Sequence, residues 1–443
     1  MSDRLAPQAG IGPTGWPPGW LIAALVALTA VRLAVAALTG LTEDEAYYRL
    51  WALAPSHGYL DHAPMVAWWM AAGIGLAGDG EFGLRLLNPL AALGGSLALW
   101  RTAALLFDGE TATRAVAWFN AMILIAAGSI VLTPDAPSVL FWGLALWALA
   151  ELWASDDGRW WLAVGLFAGL GLLSKYTVLF LGAGLALWVV ATPSGRRWLA
   201  TPWPWLGGLL ALLLFSPVIY WNWQYEWASF IKQIGRADRL QGYSPRFLGE
   251  IAVATLGLAN PGLLLLACVG FALALRRGFG RGDAGWLILP LTTLPLLVYA
   301  VWHGLSGRVQ PNWLTPLYPA VAVLGAAAAE HFAAHSADYA PRLRAMATGV
   351  GRTVIPLGAV ASALLYAHAA IGLVAVAGNR DPLNQTRGWD GLVAELKPVM
   401  AIAGASWIAT SNYATAGPLA FAAGDIPVIQ LDERIRYAHL PAP

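Results

Sequence analysis

Acidic side chains are scarce in this chain, so a run of them calls for a physical explanation. Residues 42–48 read Thr-Glu-Asp-Glu-Ala-Tyr-Tyr, which places Glu43, Asp44 and Glu45 directly after an apolar stretch. A carboxylate at a membrane surface costs free energy unless it is hydrated, paired or used. Thr42 and Glu45 fit the Thr-x-x-Glu capping box, which opens a helix whose first turn favours negative charge. On that helix Asp44, Tyr47, Tyr48 and Trp51 fall at i, i+3, i+4 and i+7 and share one face. An acid beside aromatic rings suits a polyol at the lipid boundary. Glu45 has structural work available, because it can cap and also reach Arg49 at i+4. Asp44 has none.

Other polar groups interrupt the apolar sequence. Tyr59-Leu60-Asp61-His62-Ala63-Pro64 precedes a short apolar run, and Asp135 lies between Pro134 and Pro137. Lys175-Tyr176 ends a glycine-rich stretch, Asn222 lies in the aromatic segment after Pro217, and Arg308, Gln310 and Asn312 precede another apolar run. Each has a structural reading. Asp61 and His62 suit the start of the following helix, and Asp135 suits an N-cap. Lys175 can snorkel, while Gly169 and Gly171 allow close helix packing. No His/Cys/Asp spacing resembles a zinc site, and no Walker or Rossmann loop is present, so nucleotide-driven chemistry has no visible home.

The elements that position these residues are membrane helices. Of 443 residues 58% are hydrophobic and 12% charged, and apolar runs of about twenty residues recur along the chain, the length needed to cross a bilayer. Hydropathy places about eleven spans, near 20–38, 83–106, 112–131, 138–154, 160–173, 177–191, 205–220, 248–275, 285–302, 313–330 and 352–376. Pro64 to Leu76 is too short to cross and reads as a re-entrant or interfacial helix. The single cysteine, Cys268, rules out an intrachain disulfide framework, and no basic tract suggests nucleic acid. Residues 1–19 read as a cytoplasmic tail, 20–376 as the membrane domain, and 377–443 as a small periplasmic α/β appendage. In the appendage the pattern predicts a helix over 389–396, a strand over 406–411, a helix over 415–422 and a strand over 428–431.

With the N-terminus cytoplasmic, Arg196, Arg197, Arg276, Arg277, Arg281, Arg342 and Arg344 share the inner side, as the positive-inside rule requires. Asp44, Asp61, Asp135, Lys175, Asn222 and Arg308 then share the outer side. One outer loop breaks the rule through Lys232, Arg236, Arg239 and Arg246. These cations, interleaved with Tyr225, Trp227, Phe230 and Tyr243, suit a lipid-phosphate head group, or else a solvated amphipathic helix.

The order of these motifs is familiar. Asp44-Glu45-Ala46-Tyr47-Tyr48, Gly58 to Pro64, Pro134-Asp135-Ala136-Pro137, Gly169 to Tyr176 and Trp221-Asn222 succeed one another over about residues 20–330. The chain resembles the GT-C class of membrane glycosyltransferases, in the branch of protein O-mannosyltransferases and lipid A aminoarabinose or galacturonosyl transferases. Aminoarabinose transferases carry Lys-Pro near the interfacial helix, whereas this chain has His62-Ala63-Pro64, so their lipid A specificity is not carried over.

The resemblance implies an all-α polytopic fold and a sugar donor linked to polyprenyl phosphate. The implied acceptor is a periplasmic glycan, lipid or protein, in the inner membrane and with the active site on its periplasmic side. It implies Asp44 as catalytic base, with Glu45 beside it, and inversion at the anomeric carbon. Lys175, Arg308 and His62 would meet the departing phosphate, while Asp61 and Asp135 would bind sugar hydroxyls or orient the acceptor. Tyr47, Tyr48, Tyr176, Asn222 and Asn312 complete the expected substrate contacts. A phosphate leaves without a general acid, so one carboxylate suffices where a glycosidase needs two. No cofactor is expected; a divalent cation is compatible with the reaction, but no ligand spacing supports one. The rival is a transporter or flippase of polyprenyl-linked sugars, which would place its ionisable groups near the bilayer midplane and show internal pseudo-symmetry. Here the charges cluster at one face, and no repeat is visible.

Overall fold

The computed structural model describes residues 15–237, 242–335, 339–373, 381 and 383–440. Among them, eight helices are long and apolar enough to cross a membrane: Gly19–Leu38, Glu81–Leu106, Asp135–Ser155, Trp203–Gln224, Pro261–Arg281, Ala284–Gly304, Pro311–Ala334 and Pro341–Ile371. Three further expected spans are present as shorter or interrupted helices. Residues 112–131 form Gly109–Asn120 and Ile123–Gly128, and 160–173 form Trp160–Leu172. Residues 177–191 belong to a pair bent by 103° before Pro193. The expected span 248–275 is divided at Asn260, whose positive φ of 77° ends Arg246–Ala259 and lets Pro261 begin the next helix. Met65–Ala77 has 13 residues, about 20 Å of helix, and falls short of the roughly 30 Å hydrocarbon core.

Small residues bring the helices together. A Cβ at Gly165 would overlap the backbone of Gly207, and one at Gly169 would lie 3.0 Å from the Cα of Ala211. The Trp160–Leu172 and Trp203–Gln224 helices therefore touch along their backbones, the packing that small residues permit in lipid.

Contacts sort the charged residues by end. Asp135 opens its helix and Lys175 follows the helix that returns, so both lie at one end. Arg197 pairs with Asp156, beyond the far terminus of Asp135–Ser155, and Arg277 bonds His331 near the far end of Tyr318–Ala334. Asp135 and Lys175 thus lie at one end of the helices, and Arg197 and Arg277 at the other.

After the last span come Trp389–Ala403, Ile408–Thr410, Tyr413–Ala422 and Val428–Gln430. The two strands pair in parallel, Ile408 with Val428 and Thr410 with Gln430, with the Tyr413–Ala422 helix as crossover. This matches the helix–strand–helix–strand order expected. The tail before residue 15, the 374–380 stretch and Arg239 lie outside the described residues.

Candidate active site

The capping box forms as the sequence requires: Thr42 Oγ1 accepts the Glu45 N–H at 3.2 Å, and Glu45 Oε2 accepts the Thr42 N–H at 3.0 Å. The expected i+4 pair does not form. Arg49 instead pairs with Asp79 at 2.5 Å. Glu45 turns inward to Arg85, at 2.6 Å, and both side chains are fully buried. The carboxylate also accepts the Leu132 N–H at 2.8 Å, while Arg85 donates to the carbonyls of Ala36, Thr39 and Gly40. Burial favours the fully buried partner over the half-buried neighbour Arg49, because a carboxylate withdrawn from water needs its full complement of donors. Glu45 therefore ties the first span, the loop helix Glu43–Leu53 and the start of Glu81–Leu106 together.

One turn away, Tyr47 and Tyr48 are buried against Trp51. The Tyr47 hydroxyl donates to Asp61 at 3.2 Å. Neither Asp61 nor His62 caps the next helix, whose N-cap is Pro64. Asp61 is buried between two cations, Lys232 at 2.6 Å on one oxygen and Arg436 on the other. Burial alone would raise its carboxyl pKa; the hydrogen bond and charge of Lys232, with Arg436, outweigh that and hold it below the usual 3.8. Half-buried His62 sets its ring edge-on to Tyr48 at 6.0 Å.

Asp135 is likewise no cap, since the N-cap position belongs to Pro134. Its carboxylate accepts Lys175 Nζ at 2.5 Å and Asn312 Nδ2 at 3.0 Å, and Lys175 also donates to the Asn312 carbonyl at 3.3 Å. Asp135, Lys175 and Asn312, spread over 177 residues of sequence, thus form one cluster. Tyr48 links it to the rest. Burial pushes the Tyr48 phenol well above its ordinary pKa, and the charges of Asp44, Asp61 and Asp135 add to the push. Tyr48 thus feels the charge of all three carboxylates.

Asp44 differs from the other acids. It is exposed, and among the described residues it makes no hydrogen bond or ion pair. Its carboxyl pKa is nonetheless raised from 3.8, first because surrounding protein partly desolvates it, then because Asp61, Glu43 and Glu45 repel its charge; Arg436 opposes them. A solvent-accessible, unpartnered carboxylate with a raised pKa is fit to take a proton.

Three expected contacts lie elsewhere. Tyr176 bonds Ser229 at 3.0 Å, and Asn222 accepts the Phe230 N–H at 3.1 Å. Both hold the Ala228–Ala237 helix, which delivers Lys232 and also Gln233, whose amide donates to the Asp61 carbonyl at 2.7 Å. Arg308 is exposed and pairs with Glu250 at 3.5 Å, outside the carboxylate cluster, as does Arg246 at 2.8 Å. Sequence reasoning missed Arg85 and Arg436. A lone arginine at the start of an apolar span was an available signal for Arg85. Arg436 sits in a charged stretch, Asp432 to Arg436, that reads as a solvated tail.

Comparison with known proteins can now be set beside this geometry. The crystal structure of ArnT from Cupriavidus metallidurans bound to undecaprenyl phosphate superposes with a TM-score of 0.67 at 15% identity, covering 95% of this chain and 87% of that one. The chain has the GT-C fold. The archaeal oligosaccharyltransferase AglB from Archaeoglobus fulgidus shares it at a TM-score of 0.55, 12% identity, 92% of this chain and 64% of that one. Residues 61–221 match the family described as dolichyl-phosphate-mannose-protein mannosyltransferase. The lipid A galacturonosyltransferase RgtD of Rhizobium johnstonii is 26% identical over 284 residues, which are 63% of this chain. That alignment spans 59% of the relative's own length. The GT-C chain thus resembles the branch of mannosyl, aminoarabinose and galacturonosyl transferases that its motifs suggest.

Proposed function

We propose that the protein is an integral membrane glycosyltransferase that moves a sugar from a polyprenyl-phosphate donor to an acceptor hydroxyl. The carrying observation is that Asp44 is uncommitted: Glu45, Asp61 and Asp135 each hold a cation, whereas Asp44, on the face shared with Tyr47 and Tyr48, holds none among the described residues. In this reading Asp44 removes the acceptor proton as its oxygen attacks the anomeric carbon. The bond from that carbon to the phosphate oxygen breaks, the polyprenyl phosphate leaves with the bonding pair, and configuration inverts. The reaction takes place on the periplasmic face of the inner membrane, consistent with the arginines at the opposite end.

The growing charge on the leaving phosphate falls to cations already fixed in place by carboxylates, Lys232 on Asp61 and Lys175 on Asp135, with His62 beside them. Ammonium groups aimed before the reaction stabilise developing charge without reorganising during it. Arg308, exposed and held by Glu250, serves the approach of the anionic donor rather than the reacting centre. The acceptor is a lipid A-like glycolipid, in keeping with the galacturonosyltransferase relative. Undecaprenyl phosphate binding by the purified protein, with mass spectrometry of the lipid fraction from cells with and without the gene, tests this function. Absence of both a bound polyprenyl phosphate and a sugar-sized mass difference would refute it.

A further inference from the structure

The segment after the second strand does more than cover the membrane domain. Its short 3-10 helix, Arg434–Tyr437, brings Arg436 onto Asp61 beside the loop helix that carries Asp44. Arg436 is buried and held on every side. Its guanidinium bonds the Asp61 carboxylate and, at 2.5 Å, Glu433, lies over the Tyr413 ring at 4.4 Å, and its carbonyl is 3.4 Å from the Tyr47 hydroxyl. The neighbouring Tyr413–Ala422 helix presses its backbone on the same loop helix, where a Cβ at Gly417 would sit 2.6 Å from the Tyr47 nitrogen.

We propose that Arg436 is a positioning residue of the transfer site, fixing Asp61 beside Asp44, so that the C-terminal segment is part of the catalytic apparatus. This rests on the glycosyltransfer function proposed above. Lys232 already supplies Asp61 with one cation, so satisfying a buried carboxylate does not account for a second. A buried charge pair is a poor source of stability compared with an apolar contact of the same size. What the second cation does achieve is directional. Lys232 takes Oδ1, while Arg436 and Tyr47 take Oδ2. With both oxygens of Asp61 occupied, Asp61 does not compete with Asp44 for the acceptor proton. Freed from Arg436, Asp61 would offer a rival acceptor a short distance away.

The test uses the full chain in native membranes, with sugar transfer to endogenous lipid read by mass across a range of pH. Arg436→Gln keeps hydrogen bonding and loses the charge; its turnover is expected to fall on the order of tenfold to a hundredfold. Its acid limb should move to higher pH, because Asp44 then faces Asp61, Glu43 and Glu45 without an opposing cation, Tyr48 and Tyr413 remaining neutral. Arg436→Lys should restore most of the rate and the limb. Asp61→Asn combined with Arg436→Gln should be no worse than the poorer single variant, since one acts through the other. An equal loss at every pH, failure of lysine to restore the limb, or losses that multiply in the double variant would each overturn the assignment. A wild-type protein that transfers no sugar would defeat the glycosyltransfer reading itself. Wild-type transfer with an unchanged Arg436→Gln variant would defeat this proposal alone.

Discussion

Adjacent carboxylates Asp44 and Glu45 should fail in opposite ways when neutralised. Glu45→Gln leaves the Arg85 guanidinium without its counter-charge in a fully buried position. The glutamine can keep one acceptor oxygen, but its amide then points at a guanidinium that also only donates. Breaking one side of such a pair costs about 3–5 kcal/mol, or roughly two to three and a half decades in the folding equilibrium at 1.4 kcal/mol per decade. Thr42 and Leu132 would lose part of their bonding as well. Asp44→Asn removes no hydrogen bond or ion pair, so its stability should stay within about 0.5 kcal/mol of wild type. Its turnover should fall roughly 10²–10⁴-fold, the range for loss of a general base. With 24 tryptophans in the chain, intrinsic fluorescence during heating in detergent reports unfolding, and membrane-based sugar transfer reports chemistry. The reasoning is refuted if Asp44→Asn melts as early as Glu45→Gln. It is also refuted if Glu45→Gln melts like wild type yet transfers nothing.

Lys175→Ala should lower folded yield as well as turnover, because it strands the buried Asp135 carboxylate; pairing it with Asp135→Asn should recover the melting temperature but not the rate. Normal folding of the single variant would contradict that pairing. Turnover should decline as pH is lowered through the raised pKa of Asp44, since only the carboxylate accepts a proton, and an acid limb at or below 3.8 would refute a raised value. Gly417→Val should push the crossover helix off the Ala46–Tyr47 backbone and cut transfer strongly. Cysteine labelling and mild proteolysis would then show the C-terminal segment newly accessible, whereas unchanged accessibility would show the contact to be dispensable.

Much of this arrangement was legible because it is local. Hydropathy and length disclosed the helices, the Thr42–Glu45 spacing disclosed the cap, and turn chemistry with alternating residues disclosed the strands around Ala409 and Ile429. Grouping Asp44, Asp61, Asp135 and Lys175 at one end followed from counting spans and charges. What escaped were choices between partners. Arg49 and Arg85 were both available to Glu45, and the i+4 rule points to the sequence neighbour although the fully buried arginine offers stronger bonding in low dielectric. Asp135 has the composition of a cap but turns to Lys175, an ion pair that periodicity does not encode. Arg436 is the extreme case, because no local pattern distinguishes an arginine that reaches back to Asp61 from one that is solvated.

The link between Asp61 and Arg436 joins positions 375 residues apart. A ribosome adding about 5–20 residues per second needs roughly 20 to 75 seconds to travel that distance. Throughout that interval the early spans can already be seated in the bilayer, with the loop helix exposed and Asp61 awaiting one of its two cations. The segment that carries Arg436 therefore docks on the loop helix only after the spans before it have been made. A chain cut short before residue 436 would leave Asp61 with Lys232 but without its second cation.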